Sequence, residues 1–218
     1  MVWRNLAEAY LCSGETLTLR RSGDDFEIRL DLYQLMASGN SVSERALAEI
    51  VCARIVPLAA RVLIGGLGMG FTLRAVLDGV GPAVRITVAE LVPEVVAWNR
   101  TVLSHLAGRP LDDPRVTVAE QDVAAVIAAN PAAFDAILMD VDNGPDAVLF
   151  ANNRFLYSVS GVALILSGLA PGGVVGLWAA TPSPDFERVL AAGGFAHECM
   201  TIAVADGLTH TLYLVRAR

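Results

Sequence analysis

A chain of 218 residues is long enough for one domain with a sizeable core, and its net charge of −7 argues against nucleic acid as a main partner, since neutralising phosphates takes clustered Lys and Arg. Hydrophobic residues make up 54% of the chain and charged ones only 18%, so a membrane span has to be weighed against a buried core. The uncharged run from Val159 to Ala180 is long enough to span, but Pro171-Gly172-Gly173 breaks it. A helix, a tight turn and a buried parallel strand account for the same residues without lipid. At the N-terminus Glu8 interrupts any signal-like apolar run, and Cys12, Cys52 and Cys199 show no CxxC spacing. These features predict a cytoplasmic protein with no disulfide frame and no zinc site.

In chain order, two short alternating runs, Glu15 to Arg20 and Phe26 to Leu30, flank Ser22-Gly23-Asp24-Asp25 and predict a β-hairpin. A helix is expected from Val42 to Ile55, with Ser41 or Ser43 as its cap. Apolar runs at Arg61–Ile64, Arg85–Ala89, Arg115–Ala119, Ala136–Met139 and Val174–Trp178 then alternate with helix-compatible stretches. Two late runs, Ala196–Ala203 and Thr209–Val215, lie close enough around Asp206-Gly207 to pair antiparallel. Strand–helix alternation with strands apolar on both faces implies an α/β fold with a doubly wound, mostly parallel sheet. The expected division is a hairpin extension over residues 1–40 and a nucleotide-binding domain over 41–218.

The strand Val62-Leu63-Ile64 runs into Gly65-Gly66-Leu67-Gly68-Met69-Gly70 and then a helical pattern. Gly66, Gly68 and Gly70 permit a sharp strand-to-helix turn and let a ligand approach bare backbone, with close packing of helix on strand as the lesser alternative for a lone glycine pattern. Glu90 ends the next strand, where an acidic side chain accepts hydrogen bonds from ribose hydroxyls, or merely sits at a helix N-terminus. Asp122 follows the third strand, where it reads adenine or caps the helix beginning at Val123. Asp140 ends the fourth strand, beside the first across the point where strand order reverses. A partly desolvated carboxylate there can deprotonate an amine. Asp142 belongs to Asp142-Asn143-Gly144-Pro145, which suits either a substrate-lining loop or a plain turn. His105, His197 and His210 lack metal-ligand spacing and are assigned to surface or core, as Trp3, Trp98 and Trp178 are to packing.

Leu32-Tyr33-Gln34-Leu35-Met36, Val62-Leu63-Ile64-Gly65-Gly66, Leu73-Arg74-Ala75-Val76, Asp113-Pro114-Arg115-Val116, Phe134-Asp135-Ala136-Ile137-Leu138-Met139-Asp140 and Gly144-Pro145 with Leu149-Phe150 follow one another in this order. Together, from about Tyr33 to Gly173, they resemble the spermidine synthase family, aminopropyltransferases on a Rossmann-like, class I methyltransferase-type fold. The resemblance implies an antiparallel C-terminal strand, nucleotide contacts from Gln34, Glu90 and Asp122, a catalytic carboxylate at Asp140 and a substrate-lining Tyr33. It implies S-adenosylmethionine or its decarboxylated form as co-substrate and a small-molecule amine, or another small nucleophile, as acceptor.

The chain also departs from the family pattern. Met69 stands where the family's aspartate is thought to hold the amine of the decarboxylated nucleotide, and Leu35 replaces the glutamate after Tyr-Gln. Trp178-Ala179-Ala180 stands where Gln-Gly-Glu is expected. The leading expectation is therefore a spermidine synthase-like group transferase. A small-molecule methyltransferase using ordinary S-adenosylmethionine is the alternative, favoured by Met69, and a non-catalytic nucleotide- or partner-binding domain is a third. A homodimer through the N-terminal hairpin is compatible with so apolar a chain.

Overall fold

Strands form where the sequence alternates or runs apolar, and most of them collect into one large sheet. The structure, a computed structural model, describes residues 2–55 and 58–216. It divides into two compact units, residues 1–41 and 42–218.

The first unit is an antiparallel meander of β1 (Arg4–Tyr10), β2 (Thr16–Ser22), β3 (Asp25–Leu30) and β4 (Tyr33–Ala37), hydrogen-bonded in that order. The expected hairpin is its middle pair, and Leu17, Leu19, Phe26 and Ile28 from that pair are buried. The expectation is corrected in extent, because the sheet has four strands and not two. β1 is mostly exposed with a register shift between Asn5 and Ala7, and β4 passes from exposed to half-buried along its length, so neither displays the period of two that betrays a half-buried strand. They form because each edge of the hairpin otherwise offers unpaired backbone groups.

The second unit runs α1 (Val42–Cys52), β5 (Arg61–Gly65), α2 (Phe71–Gly79), β6 (Arg85–Ala89), α3 (Pro93–Arg100), β7 (Val116–Ala119), α4 (Val123–Ala129) and β8 (Phe134–Met139). It continues with α5 (Val159–Ser167), β9 (Leu169–Ala179), α6 (Pro184–Ala192), β10 (Ala196–Ala203) and β11 (Thr209–Arg216). Seven strands hydrogen-bond in the order β10-β11-β9-β8-β5-β6-β7. Only β11 runs against its neighbours, β9 and β10, so the sheet is parallel but for one inserted strand near the C-terminus. This is the doubly wound, Rossmann-like α/β architecture expected from the alternation of elements.

Both faces of the sheet are covered. On one, a Cβ at Gly176 would meet the side chains of Val51 and Leu47 of α1, so that helix lies directly on β9. On the other, Ile137, Met139, Val175 and Leu177 pack with Val126 and Ile127 of α4 and Val162 and Ile165 of α5. The uncharged stretch after Val159 becomes α5 followed by β9, with a bulge between the first and later pairings of β9 with β8 that holds Gly172. Among the described residues no helix is long and apolar enough to cross a membrane. The Asp113-Pro114-Arg115-Val116 segment is a structural clamp. The Arg115 guanidinium donates to the carbonyls of Leu77, Val80 and Gly81 at 3.2, 3.1 and 3.3 Å, closing the end of α2 against β7. Its hydrogen bond to Asp113 holds that carboxyl down at about 2.

Candidate active site

Strand order reverses between β5 and β8, and a crevice opens at the carboxyl ends of such strands. The glycine loop after β5 enters it. Gly66, Gly68 and Gly70 have φ of 87°, 52° and 82°, backbone that side chains rarely adopt. Gly66 is the tightest point. A Cβ there would lie 2.1 Å from the carbonyl oxygen of Asp140, so the loop and the end of β8 touch backbone to backbone. The Gly66 amide donates to Ala89 O at 2.8 Å, and the Asp140 amide to Gly65 O at 2.9 Å, locking the ends of β5, β6 and β8 together.

Glu90, at the end of β6, is 8% exposed. Its two oxygens accept from the Leu67 and Val92 amides, each at 2.9 Å, so one carboxylate fastens both the glycine loop and the start of α3. Burial pushes its pKa up, while the amides of Val92, Leu67, Leu91 and Gly68 pull it back. The carboxylate thus faces the amides of the glycine loop and of the start of α3, which satisfies the helix-start reading. Asp122 accepts from the Ala124 amide at 2.7 Å and caps α4, which satisfies the capping reading.

Met69 departs from expectation. Its side chain is 1% exposed, packed in the core, so this position offers the crevice backbone and not a thioether surface. The inference that its lost charge selects the nucleotide therefore loses its footing. Asp142 departs further. It is 5% exposed, and its oxygens accept from the amides of Asn143, Leu149 and Phe150 and from Asn153 Nδ2, at 2.9 to 3.2 Å. That carboxylate organises the loop from Val141 to the 3-10 turn at Ala151–Tyr157, and its role as a substrate-lining group is corrected on that ground. Tyr33 and Gln34 sit on β4 of the first unit, Tyr33 with 66% exposure.

Asp140 is half-buried and accepts a hydrogen bond from Thr72 Oγ1 at 2.6 Å. Burial pushes its pKa up to about 7, the charge of Glu44 adds to that rise and the Thr72 hydroxyl opposes it. These causes predict opposite shifts on mutation. Thr72→Val should lift the Asp140 midpoint above 7 by removing a donor to the ionised form, and Glu44→Gln should lower it by removing a like charge. A carbon-13 NMR titration of the Asp140 carboxyl checks both, and shifts of the same sign would refute the attribution.

Sequence reading missed the groups that converge here from other elements. Thr72 opens α2, and Asn99 of α3 donates to Gly68 O at 2.7 Å, pinning the glycine loop. Ser43 and Glu44 lie in the first turn of α1, and His210 opens β11. Their only sequence signal is position at the ends of elements that a parallel sheet brings to one edge. Among the described residues no group of His, Cys, Asp and Glu is placed to hold a metal ion.

The spermine/spermidine synthase domain family matches residues 44–188. The polyamine aminopropyltransferase of Mycobacterium tuberculosis is 31% identical over 171 residues, covering 77% of this chain and 31% of that protein. Polyamine aminopropyltransferase 2 of Pseudomonas aeruginosa is 34% identical over 118 residues, covering 52% of this chain and 32% of that protein. The chain thus spans about a third of the length of these curated relatives. Among solved structures, spermidine synthase from Thermotoga maritima superposes with a TM-score of 0.77 at 18% identity, over 98% of this chain and 73% of that one. A spermidine synthase in complex with the transition state analogue AdoDATO gives 0.76 at 18% identity, over 97% and 72% of the two chains. At such identity these two matches speak to the fold.

Proposed function

We propose that this chain, which belongs to the spermine/spermidine synthase family, is a transferase that moves an aminopropyl group from decarboxylated S-adenosylmethionine to an amine. The observation that carries the reading is Asp140, a carboxyl raised to about 7 at the strand-order reversal, in backbone contact with the glycine loop. A base with a midpoint near neutrality suits proton removal from an amine. The relatives named polyamine aminopropyltransferases support the choice of reaction.

In this reading the bare backbone of Gly66, Gly68, Met69 and Gly70 receives the nucleoside, and Glu90, at the end of β6, is assigned to the ribose hydroxyls by its place in the fold. Asp122 presents its uncapped oxygen to adenine. The bound sulfonium nucleotide supplies an electrophilic carbon on a good leaving group. The protein aligns the nitrogen with that carbon, and Asp140 takes the proton the nitrogen loses. Glu90, Asp140 and Glu44 are among the acidic groups at this edge of the sheet. A further carboxylate brought by ordinary S-adenosylmethionine would meet repulsion there, which favours the decarboxylated donor.

Calorimetry tests the assignment. The decarboxylated nucleotide should bind at least about tenfold tighter than S-adenosylmethionine, a difference of about 1.4 kcal/mol, with methylthioadenosine measured alongside. Tighter binding of S-adenosylmethionine would favour methyl transfer, and absence of binding by all three below about a millimolar would sink the nucleotide site altogether.

A further inference from the structure

His210 has no role in the reaction as described, yet it is built into a hydrogen-bonded chain. Ser43 Oγ lies 2.7 Å from Glu44 Oε2 and 2.7 Å from His210 Nδ1. A hydroxyl has one proton. If Ser43 donates it to the carboxylate, the contact with the ring can be made only by an N–H on Nδ1 donating to Ser43 Oγ. The uncharged imidazole then carries its lone pair on Nε2.

The surroundings favour that state. Burial lowers the pKa of His210, and the charge of Glu44 only partly opposes this, so the ring is uncharged at neutral pH. Of the elements packed on it, α1 contributes the charge of Glu44, β9 contributes the uncharged Trp178, and β10 faces it with Ile202.

Position on the sheet relates this chain of groups to Asp140. Trp178 pairs with Leu212, so Trp178, Leu212 and, two residues earlier, His210 share one face. Gly176, two residues before Trp178, lies on the face that α1 covers and pairs with Leu138, two residues before Asp140. Alternation therefore puts Asp140, Trp178 and His210 on the same face of adjacent strands β8, β9 and β11, at one edge, with about 12 Å between the backbones of the outer two, two strand spacings across and two residues along. The indole of Trp178 stands edge-on to His210 at 4.9 Å, and its buried N–H has no hydrogen-bond partner among the described residues. Asp140 and His210 thus flank an aromatic floor.

We propose that Glu44 and Ser43 lock His210 with its proton on Nδ1, so that Nε2 accepts a hydrogen bond from the distal polar group of an acceptor lying across Trp178 with its reacting nitrogen at Asp140. Among the amine acceptors of the proposed reaction, this contact favours one that carries a second hydrogen-bond donor over a simple monoamine. Ser43 and Glu44 act as positioning residues and His210 as a specificity-determining contact. The proposal rests on the transferase reading for its substrate, but the state of the ring can be tested without turnover.

Long-range proton–nitrogen NMR on the full chain labelled at histidine, with His210 assigned through His210→Gln, should show the Nδ1–H form. Ser43→Ala should shift it toward Nε2–H. An Nε2–H ring in the parent, or no response to Ser43→Ala, overturns the relay whatever the protein catalyses. Adding 1,4-diaminobutane should move the Nε2 resonance while butylamine does not; equal responses overturn the acceptor contact. In turnover assays His210→Phe should raise KM for 1,4-diaminobutane about tenfold, the loss of one hydrogen bond to an uncharged acceptor, with kcat little changed. Glutamine, whose terminal amide overlies Nε2, should recover part of it, and an unchanged KM in His210→Phe overturns the contact. If no sulfonium nucleotide binds, the transferase reading fails and the NMR result still decides the relay.

Discussion

Asp140→Asn is expected to lower turnover by at least about a hundredfold while nucleotide affinity stays within about threefold, because it removes a base and leaves the glycine loop and Glu90 untouched. The pH profile should change with it. In the parent, activity rises with pH as Asp140 loses its proton near 7. The asparagine variant should show no such limb. Unchanged turnover would remove Asp140 from catalysis, and a large loss of nucleotide affinity would reassign it to binding. The same substitution should also stabilise the fold, with a sign that linkage dictates. Asp140 titrates at about 7 in the folded chain, against about 4 for an unfolded aspartate. Between those values the folded state holds the extra proton, so the stability of the parent falls as pH rises through the window. Asparagine has nothing to lose there. Its advantage in unfolding free energy, read by denaturant titration, should grow from pH 5 to pH 7 and level off above, reaching roughly 1–3 kcal/mol after relaxation and the Thr72 hydrogen bond are allowed for. A variant less stable than the parent at pH 8 would mean that Asp140 is ionised in the fold and held by contacts stronger than its desolvation.

Such a destabilising carboxylate is easier to read from sequence than the groups that tune it. Gly66, Glu90 and Asp140 each follow a strand by a fixed short interval, so the alternation of strand and helix brings them to one edge before any packing is known. Thr72, Glu44 and His210 arrive from α2, α1 and β11, and no spacing along the chain relates them. Asp142 shows the opposite limit. Its neighbours have turn composition, and the sequence leaves open whether the carboxylate faces solvent or folds inward. The inward choice follows from a return of the chain at Leu149 and Phe150 that supplies amide donors. Met69 misleads for a related reason: alignment with a family loop assigns a position, but not the direction of its side chain. The outer strands of the first unit were hidden because exposed edge strands need no apolar period.

Gly66→Ala should be the most damaging single methyl group in the second unit's crevice. The residue sits at φ 87°, and an added Cβ would fall 2.1 Å from Asp140 O and 2.9 Å from Asp140 C. These are backbone atoms, so no side chain can swing aside. Relief requires the glycine loop to part from the end of β8, breaking the pairing of the Asp140 amide with Gly65 O and of the Gly66 amide with Ala89 O. The positive φ alone costs about 1 kcal/mol for alanine, and two buried backbone hydrogen bonds left unmade add about 1–3 kcal/mol each. A loss of roughly 3–7 kcal/mol is a large share of a domain's stability, so chemical denaturation should show a much lower midpoint. Any folded fraction should bind nucleotide weakly and turn over slowly together, since one displacement moves both the loop that receives the nucleoside and the carboxyl beside it. Asp140→Asn, by contrast, should separate the two properties. If Gly66→Ala kept full nucleotide affinity and lost only turnover, the loop would not be the nucleoside's seat, and the coupling of glycine loop to catalytic strand drawn from this backbone contact would be wrong.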